Sequence, residues 1–222
     1  MADSPGGELI YGRRPVAEAE RGRRAVHQVW RAPETSTGEL TRMAGSPDHQ
    51  GVVAEVDPYP YADPAQLLAD RSALLVALDQ VQDPRNLGAV CRSAEVAGAT
   101  GVVIPQRRSA AVTAVACKAS AGAVEHLAIA RVLNLADWLA QAREAGFWSW
   151  GAEAGAPTAY TDADLKGATV LVLGGEGKGL RPRVAAGCDG LISIPQRGRT
   201  ASLNVSAAAS VLLFEALRQR SA

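Results

Sequence analysis

Histidine, cysteine and aromatic side chains are scarce in this chain, and each shortage narrows what it can do. The three cysteines among 222 residues are Cys91, Cys117 and Cys188. Their odd number and their Ala/Val-rich or helical contexts exclude a disulfide framework and fit buried, reduced thiols of a cytosolic protein. No hydrophobic run is long enough to span a bilayer, and Met1–Gly7 lacks the apolar core of a signal peptide. A cytoplasmic, membrane-free protein is therefore expected, and the glycosylation sequon at Asn204-Val205-Ser206 carries no weight. Net charge is missing too: 23 Lys and Arg balance 23 Asp and Glu. There is no global field to draw in nucleic acid, so any polyanion site must be local.

Apolar residues are plentiful at 47%, enough for a real core in one large or two small domains. The arginines cluster at Arg13/Arg14, Arg21/Arg23/Arg24, Arg107/Arg108, Arg181/Arg183 and Arg197/Arg199. Each cluster alone reads equally well as a solvated face. Residues 1–7 read as a disordered tail. Helix is expected over Gly12–Arg21 and Gly38–Met43, with strands at Ala25–Trp30 and Gly51–Val56. The proline-rich run Asp57–Pro64 reads as a linker, which divides the chain into regions 8–63 and 64–222. From Leu74 the pattern becomes regular. Strand-length runs at Leu74–Leu78, Gly101–Ile104, Leu127–Ala130, Phe147–Gly151, Val170–Leu173 and Leu191–Ile194 alternate with helical stretches at Leu87–Ala97, Leu135–Ala145 and Ser202–Arg218. This alternation predicts an α/β fold with a parallel sheet covered by helices on both faces.

Three turns follow strands and lead into expected helices. They are Asp83-Pro84-Arg85-Asn86-Leu87-Gly88 running to Arg92, Leu173-Gly174-Gly175-Glu176-Gly177-Lys178-Gly179-Leu180, and Ile194-Pro195-Gln196 leading to Ser202-Leu203-Asn204-Val205-Ser206. In an open parallel sheet such turns gather at the carboxyl ends of the strands, where ligands bind. The glycine-rich turn lacks the Ser/Thr of a phosphate-binding loop. It also misses the dinucleotide fingerprint, since the spacing is wrong and Asp189 comes too early. Taken singly, Asn86 and Asn204 read as helix caps and Arg92 as one half of a surface ion pair with Glu95 or Glu176. Glu176 among four glycines has little to pack against except a ligand or a partner.

Together, D-P-x-N-x-G-x-x-x-R, G-x-E-G-x-G-L and I-P-x-x-G-x-x-x-S-L-N-V-S resemble the three signature motifs of the SpoU (TrmH-like) RNA ribose 2′-O-methyltransferases. The resemblance spans Leu74 to the C-terminus. Within that family the chain looks most like the bacterial 23S ribosomal RNA (guanosine-2′-O)-methyltransferases. It shares with them Tyr11-Gly12-Arg13 and His49-Gln50-Gly51-Val52 in an N-terminal RNA-binding region, and the ending Leu213–Arg220. The resemblance implies a C-terminal trefoil knot, S-adenosylmethionine as cofactor without a metal, and a homodimer acting on RNA. By matched position, Leu173, Gly174, Gly175, Glu176, Ile194, Leu203 and Asn204 would hold the cofactor, largely through backbone groups. Asn86, Arg92, Glu176 and Asn204 would be the catalytic set, with Ser202 beside them. Two departures stand out: Gln196 occupies a position where the family usually has Met, and the N-terminal region is shortened between Trp30 and Gly38.

The chemistry implied is in-line attack of a ribose 2′-hydroxyl on a sulfonium methyl group. A guanidinium stays protonated, so Arg92 suits a grip on phosphate and developing alkoxide better than the base role discussed for the family. Asn86 and Asn204 would position groups, Glu176 would orient Arg92 or the ribose, and a bound phosphate could share in the proton transfer. Loop RNA calls for stacking and base-edge contacts. The candidates are the Arg clusters and Trp30, Tyr59 and Tyr61, with plain packing as the rival reading of the aromatics. Rival functions are a transfer RNA or resistance-type ribosomal RNA methyltransferase, a non-catalytic RNA-binding protein on the same fold, and a dinucleotide-dependent oxidoreductase.

Overall fold

A computed structural model describes residues 7–175, 177, 179–199 and 202–221. The expected tail up to residue 6 lies outside the described residues. The first elements are β1 (Glu8–Tyr11), α1 (Arg13–Ala19), β2 (Val26–Arg31), α2 (Thr37–Ala44) and β3 (Val52–Val56). They build an antiparallel three-stranded sheet in the order β1-β3-β2. The four-residue strand β1 escaped the sequence reading, because so short a run shows too little alternation to register. β3, buried except at Glu55, is the central strand. Ser36 caps α2 by accepting the Glu39 N–H, and Gly45 ends it in the left-handed region (φ 62°).

The two N-terminal elements that carry the subgroup resemblance form one corner. The Gly12 N–H donates to the Val52 carbonyl at 3.1 Å. The Arg13 N–H donates to Gln50 Oε1 at 3.1 Å, and its Nε donates to the Gln50 carbonyl at 3.2 Å. His49 is buried, with Nδ1 accepting from the Gly51 N–H at 3.0 Å and Nε2 lying 3.1 Å from Thr41 Oγ1. Both ring nitrogens are therefore satisfied, and this histidine holds the corner.

Residues 57–64 form no helix or strand, as their prolines require, yet they are packed. Tyr59 is buried, its hydroxyl 2.9 Å from the Val124 carbonyl and 3.0 Å from that of Leu127. The Val112 N–H donates to the Tyr61 hydroxyl at 2.9 Å, and the Ala62 N–H donates to the Ile129 carbonyl at 2.8 Å. These tyrosines are occupied by packing, and Trp30 packs against a small cluster around Leu40 and Val53.

The second sheet comprises β4 (Leu74–Asp79), α3 (Pro84–Val96), β5 (Gly101–Pro105), α4 (Ala114–Ala119), β6 (Ala128–Val132), α5 (Leu135–Glu144), β7 (Trp148–Ala152), β8 (Thr158–Ala159), β9 (Thr169–Gly174), α6 (Pro182–Ala185), β10 (Gly190–Ser193) and α7 (Val205–Arg220). Its seven strands run parallel in the order β6-β5-β4-β9-β7-β10-β8. Along β4, Leu74, Val76 and Leu78 face a core shared with α3 and α7, while Leu75 and Ala77 face a second core under α5 and α6. Two buried faces explain why the strands read as unbroken apolar runs. β9 inserts between β4 and β7, away from its sequence neighbours β8 and β10 toward the edge. This is the α/β fold with a C-terminal knot implied by the resemblance.

α7 begins at Val205, three residues later than expected. Its wide apolar face is mostly used within the chain: Val205, Ala209, Leu212, Leu213 and Ala216 are buried. At its end, Gln219 and Arg220 bind backbone groups of residues 163–167 and Ser72.

Candidate cofactor cleft at the carboxyl ends of the strands

The parallel sheet brings the ends of β9, β7 and β10 to one rim. A cavity of about 370 Å³ opens there, large enough for a nucleoside-sized ligand. Of the residues expected at a cofactor site, Leu173, Gly174, Gly175, Ile194 and Leu203 line it, as does Ser202 from the expected catalytic set, while Asn204 is not in the lining. Segments far apart in sequence thus meet at one cavity. Gln196, the departure noted in the sequence, also lines it, as do Ala152, Glu153 and Ala154 at the end of β7. The β7 residues went unnoticed because no motif marks that turn. Only the position of β7 between β9 and β10, a product of the topology, reveals it.

Asn86 and Asn204 meet beside this cavity. Asn204 Nδ2 donates to Asn86 Oδ1 at 3.2 Å. Asn204 is itself the cap of α7, its Oδ1 accepting the Ser206 N–H at 2.8 Å and the Ser206 hydroxyl at 2.6 Å. Capping and the meeting with Asn86 coexist, since they use opposite ends of the amide. Asn86 is not a cap. Asp83 takes that role in α3, accepting the Arg85 N–H at 2.8 Å, and Asn86 stands half-buried in the first turn. Helix α3 is fixed at depth by Gly88, where a Cβ would come within 2.5 Å of the Ala116 carbonyl of α4. The motif glycine is thus a packing requirement, and a 2.8 Å hydroxyl pair between Ser93 and Ser210 ties α3 to α7.

Arg92 lies exposed on α3 and forms no ion pair with Glu95 or any other described residue. Its guanidinium is available for an external anion. Glu176, expected in both the catalytic and the cofactor sets, lies outside the described residues. Among the described residues there is no group of three or more His, Cys, Asp or Glu that could hold a metal. Burial pushes the thiols of Cys91, Cys117 and Cys188 up to about 12, 11 and 12, so none supplies a thiolate nucleophile near neutral pH.

Several arginines considered for RNA contact have other duties. Arg23 and Arg24 bind groups between the two sheets, and Arg183 pairs with Asp137 at 2.7 Å. Arg181 is held by Asp79. Arg13, Arg14, Arg107, Arg108, Arg197 and Arg199 remain exposed.

Residues 73–214 match the SpoU rRNA Methylase family. The chain belongs to that family. A relative from Mycolicibacterium vanbaalenii, named an uncharacterized tRNA/rRNA methyltransferase, is 48% identical over 96% of this chain and 77% of its own. A protein of the same description from Synechocystis is 38% identical over 96% of this chain, which spans 63% of that longer protein. Among solved structures, the SpoU methyltransferase AviRb from Streptomyces viridochromogenes in complex with AdoMet superposes with a TM-score of 0.81 at 28% identity, covering 98% of this chain and 91% of its own. An AdoMet-bound rRNA methyltransferase from Sinorhizobium meliloti gives 0.82 at 26% identity, over 97% and 88%. The TrmH/SpoU tRNA modifying enzyme of A. aeolicus gives 0.62 at 27% identity, over 71% of this chain and 81% of its own. No helix among the described residues is long and apolar enough to cross a membrane.

Proposed function

We propose that this protein transfers a methyl group from S-adenosylmethionine to a ribose 2′-hydroxyl in RNA, with a guanosine of 23S ribosomal RNA as the target. The carrying observation is the convergence of the second and third motif segments on one cavity, with the first motif joined to the third beside it through the Asn86–Asn204 pair. Its size and small, mostly apolar lining suit the cofactor, and relatives of the same fold bind AdoMet. Leu173, Gly174, Gly175, Ile194 and Leu203 would hold it, with Glu176 and Asn204 completing the set.

When bound, the cofactor supplies a methyl group on a positively charged sulfur, already activated for in-line attack. The chain supplies position and charge. Arg92 grips the substrate phosphate and the alkoxide developing on the ribose oxygen. Asn86 and Asn204 hold each other and orient the reacting ribose, with Ser202 at the cavity rim. Glu176 orients Arg92 or the ribose. Holding the two reactants in attack geometry accounts for much of the acceleration.

Residues 8–63 serve as the RNA-binding region, and residues 64–222 as the methyltransferase unit. A ribosomal target is favoured over transfer RNA by the extent of the structural matches. The rRNA methyltransferase from Sinorhizobium meliloti covers 97% of the chain, whereas the tRNA modifying enzyme covers 71% of it. The working form is a cytoplasmic homodimer, joined through the apolar groups that α7 and its approach leave exposed, Leu203 and Phe214. Incubation with labelled S-adenosylmethionine and unmodified ribosomal or transfer RNA, followed by mapping of the modified ribose, tests this reading. Label at one 23S guanosine is expected. Label confined to transfer RNA, or on a base, overturns it.

A further inference from the structure

The glycine-rich turn after β9 is held at both ends by one residue that no motif includes. Asp79 ends β4 and is fully buried. Its carbonyl accepts the Gly175 N–H at 2.8 Å, where the turn begins. Its carboxylate receives the other end. Oδ2 accepts the Arg181 N–H at 2.8 Å, while Oδ1 takes Arg181 Nε at 2.8 Å and Nη2 at 2.7 Å. Between these anchors, the Gly179 N–H closes back on the Gly175 carbonyl at 3.2 Å. The loop is so tight that a Cβ on Gly174 would sit 2.1 Å from the Gly179 carbonyl group. Gly174, Gly175, Gly177 and Gly179 all line the cavity.

A carboxylate is expensive to bury unless it is paired, and an apolar residue of the same size often serves stability as well or better. The geometry therefore points to a positional role. We propose that Asp79 and Arg181 are positioning residues that clamp the turn in its ligand-binding shape. The clamp presets the glycine backbone against which S-adenosylmethionine would lie, an inference that rests on the cofactor reading above. A loop with glycine at four of its six positions has few side chains to hold it in place, and any loss of the closed population weakens apparent affinity in proportion.

Replacing Arg181 alone strands the buried Asp79 charge, so the test removes both charges and keeps the shapes, as Asp79→Asn with Arg181→Gln. Titration calorimetry with S-adenosylhomocysteine is expected to show affinity reduced by about ten- to a hundredfold, the scale of lost charge-assisted hydrogen bonds. The Michaelis constant for S-adenosylmethionine should rise by the same factor, with turnover at saturating cofactor kept. Hydrogen exchange at the Gly175 and Gly179 amides should speed up, while the amides of β5 and α5 stay protected. Unchanged exchange at those two glycines overturns the clamp, as does wild-type affinity in a variant whose glycines exchange faster. If the wild-type protein binds no cofactor, the cofactor reading fails, and exchange at the two glycines still decides whether the clamp exists.

Discussion

Glu125 and Asp79 are both buried carboxylates gripped by an arginine, but their surroundings differ. Glu125 and its partner Arg24 are enclosed on all sides, each side chain 1% exposed. Arg24 bonds both Glu125 carboxylate oxygens, Nε to Oε2 at 3.0 Å, and reaches Glu8 Oε2 at 3.3 Å and Cys117 Sγ at 3.4 Å. Burial works against the charge on Arg24, yet its bonds to Glu125 outweigh that and raise its pKa. The Asp79 carboxylate is as deep, but the Arg181 side chain is 43% exposed. The first pair welds the N-terminal sheet to the parallel sheet. The second holds a thin loop facing open space. Burial of a charge thus serves joining in one place and shaping in the other.

The largest expected effect comes from breaking the weld. Arg24→Met leaves Glu125 buried without its cation, at a cost of about 3–5 kcal/mol. Chemical denaturation should show that loss in full. Cofactor affinity of the folded fraction should stay at the wild-type value, because the cleft lies at the other pair. A tenfold or greater loss of affinity in folded Arg24→Met would erase the contrast between the two regions.

The same contrast explains what the sequence made legible. Strands β4 to β7, β9 and β10 announced themselves because burial on both faces leaves continuous apolar runs, as in Leu74–Leu78, whereas β8, two half-buried residues, gave no such run. That Leu173, Gly174, Ile194, Ser202 and Leu203 would meet was legible because strand ends gather at one rim of a parallel sheet, while the roles given to them came from the family resemblance. The arginine pairs were not. Arg24 and Arg181 looked like members of charged surface clusters, and nothing local to either tells of a carboxylate about a hundred residues away. The beginning of α7 was also misplaced. Ser202 and Asn204 are both good capping residues, and only the register of the folded helix selects Asn204.

Next in size is the open side of the cleft. Arg92, exposed and without a described ion-pair partner, contributes little to stability, in contrast to Arg24. Arg92→Ala should melt like the wild type and bind S-adenosylhomocysteine normally. Its turnover should fall by about a hundredfold or more, as when a donor to a developing oxyanion is removed. Normal turnover would remove Arg92 from the catalytic set.

Smaller still is the effect expected at the proposed dimer face. Phe214 is 48% exposed on a helix whose opposite face is buried. Phe214→Asp places a charge on that patch without touching either buried pair. Sedimentation should show a dimer weakened in a concentration-dependent way, with each pair and the fold intact. A wild-type protein that sediments as a fully active monomer at nanomolar concentration would end the dimer proposal.

The smallest effect concerns a third buried carboxylate, which sharpens the comparison because it lies away from both the weld and the cleft. Glu215 on α7 accepts Arg218 Nε at 2.9 Å and Nη2 at 2.7 Å, and Gln219 Nε2 at 2.8 Å. The hydrogen bonds from Arg218 come first, then that from Gln219, and together they hold its carboxyl down at about 2. A carboxyl depressed on folding contributes stability that is complete above the ordinary carboxylate range and is lost as pH falls toward the folded value. Wild-type stability should therefore decline between about pH 4.5 and pH 2 through this group among others, and Glu215→Gln should flatten that part of the curve. Because the Arg218 side chain is 66% exposed, salt should shrink the difference between the two proteins. Urea melts of both across that pH range, at low and high salt, test it. Parallel curves at every pH would show that the Arg218 bonds do not persist in solution, leaving Glu125 and Asp79 as the carboxylates whose arginines matter.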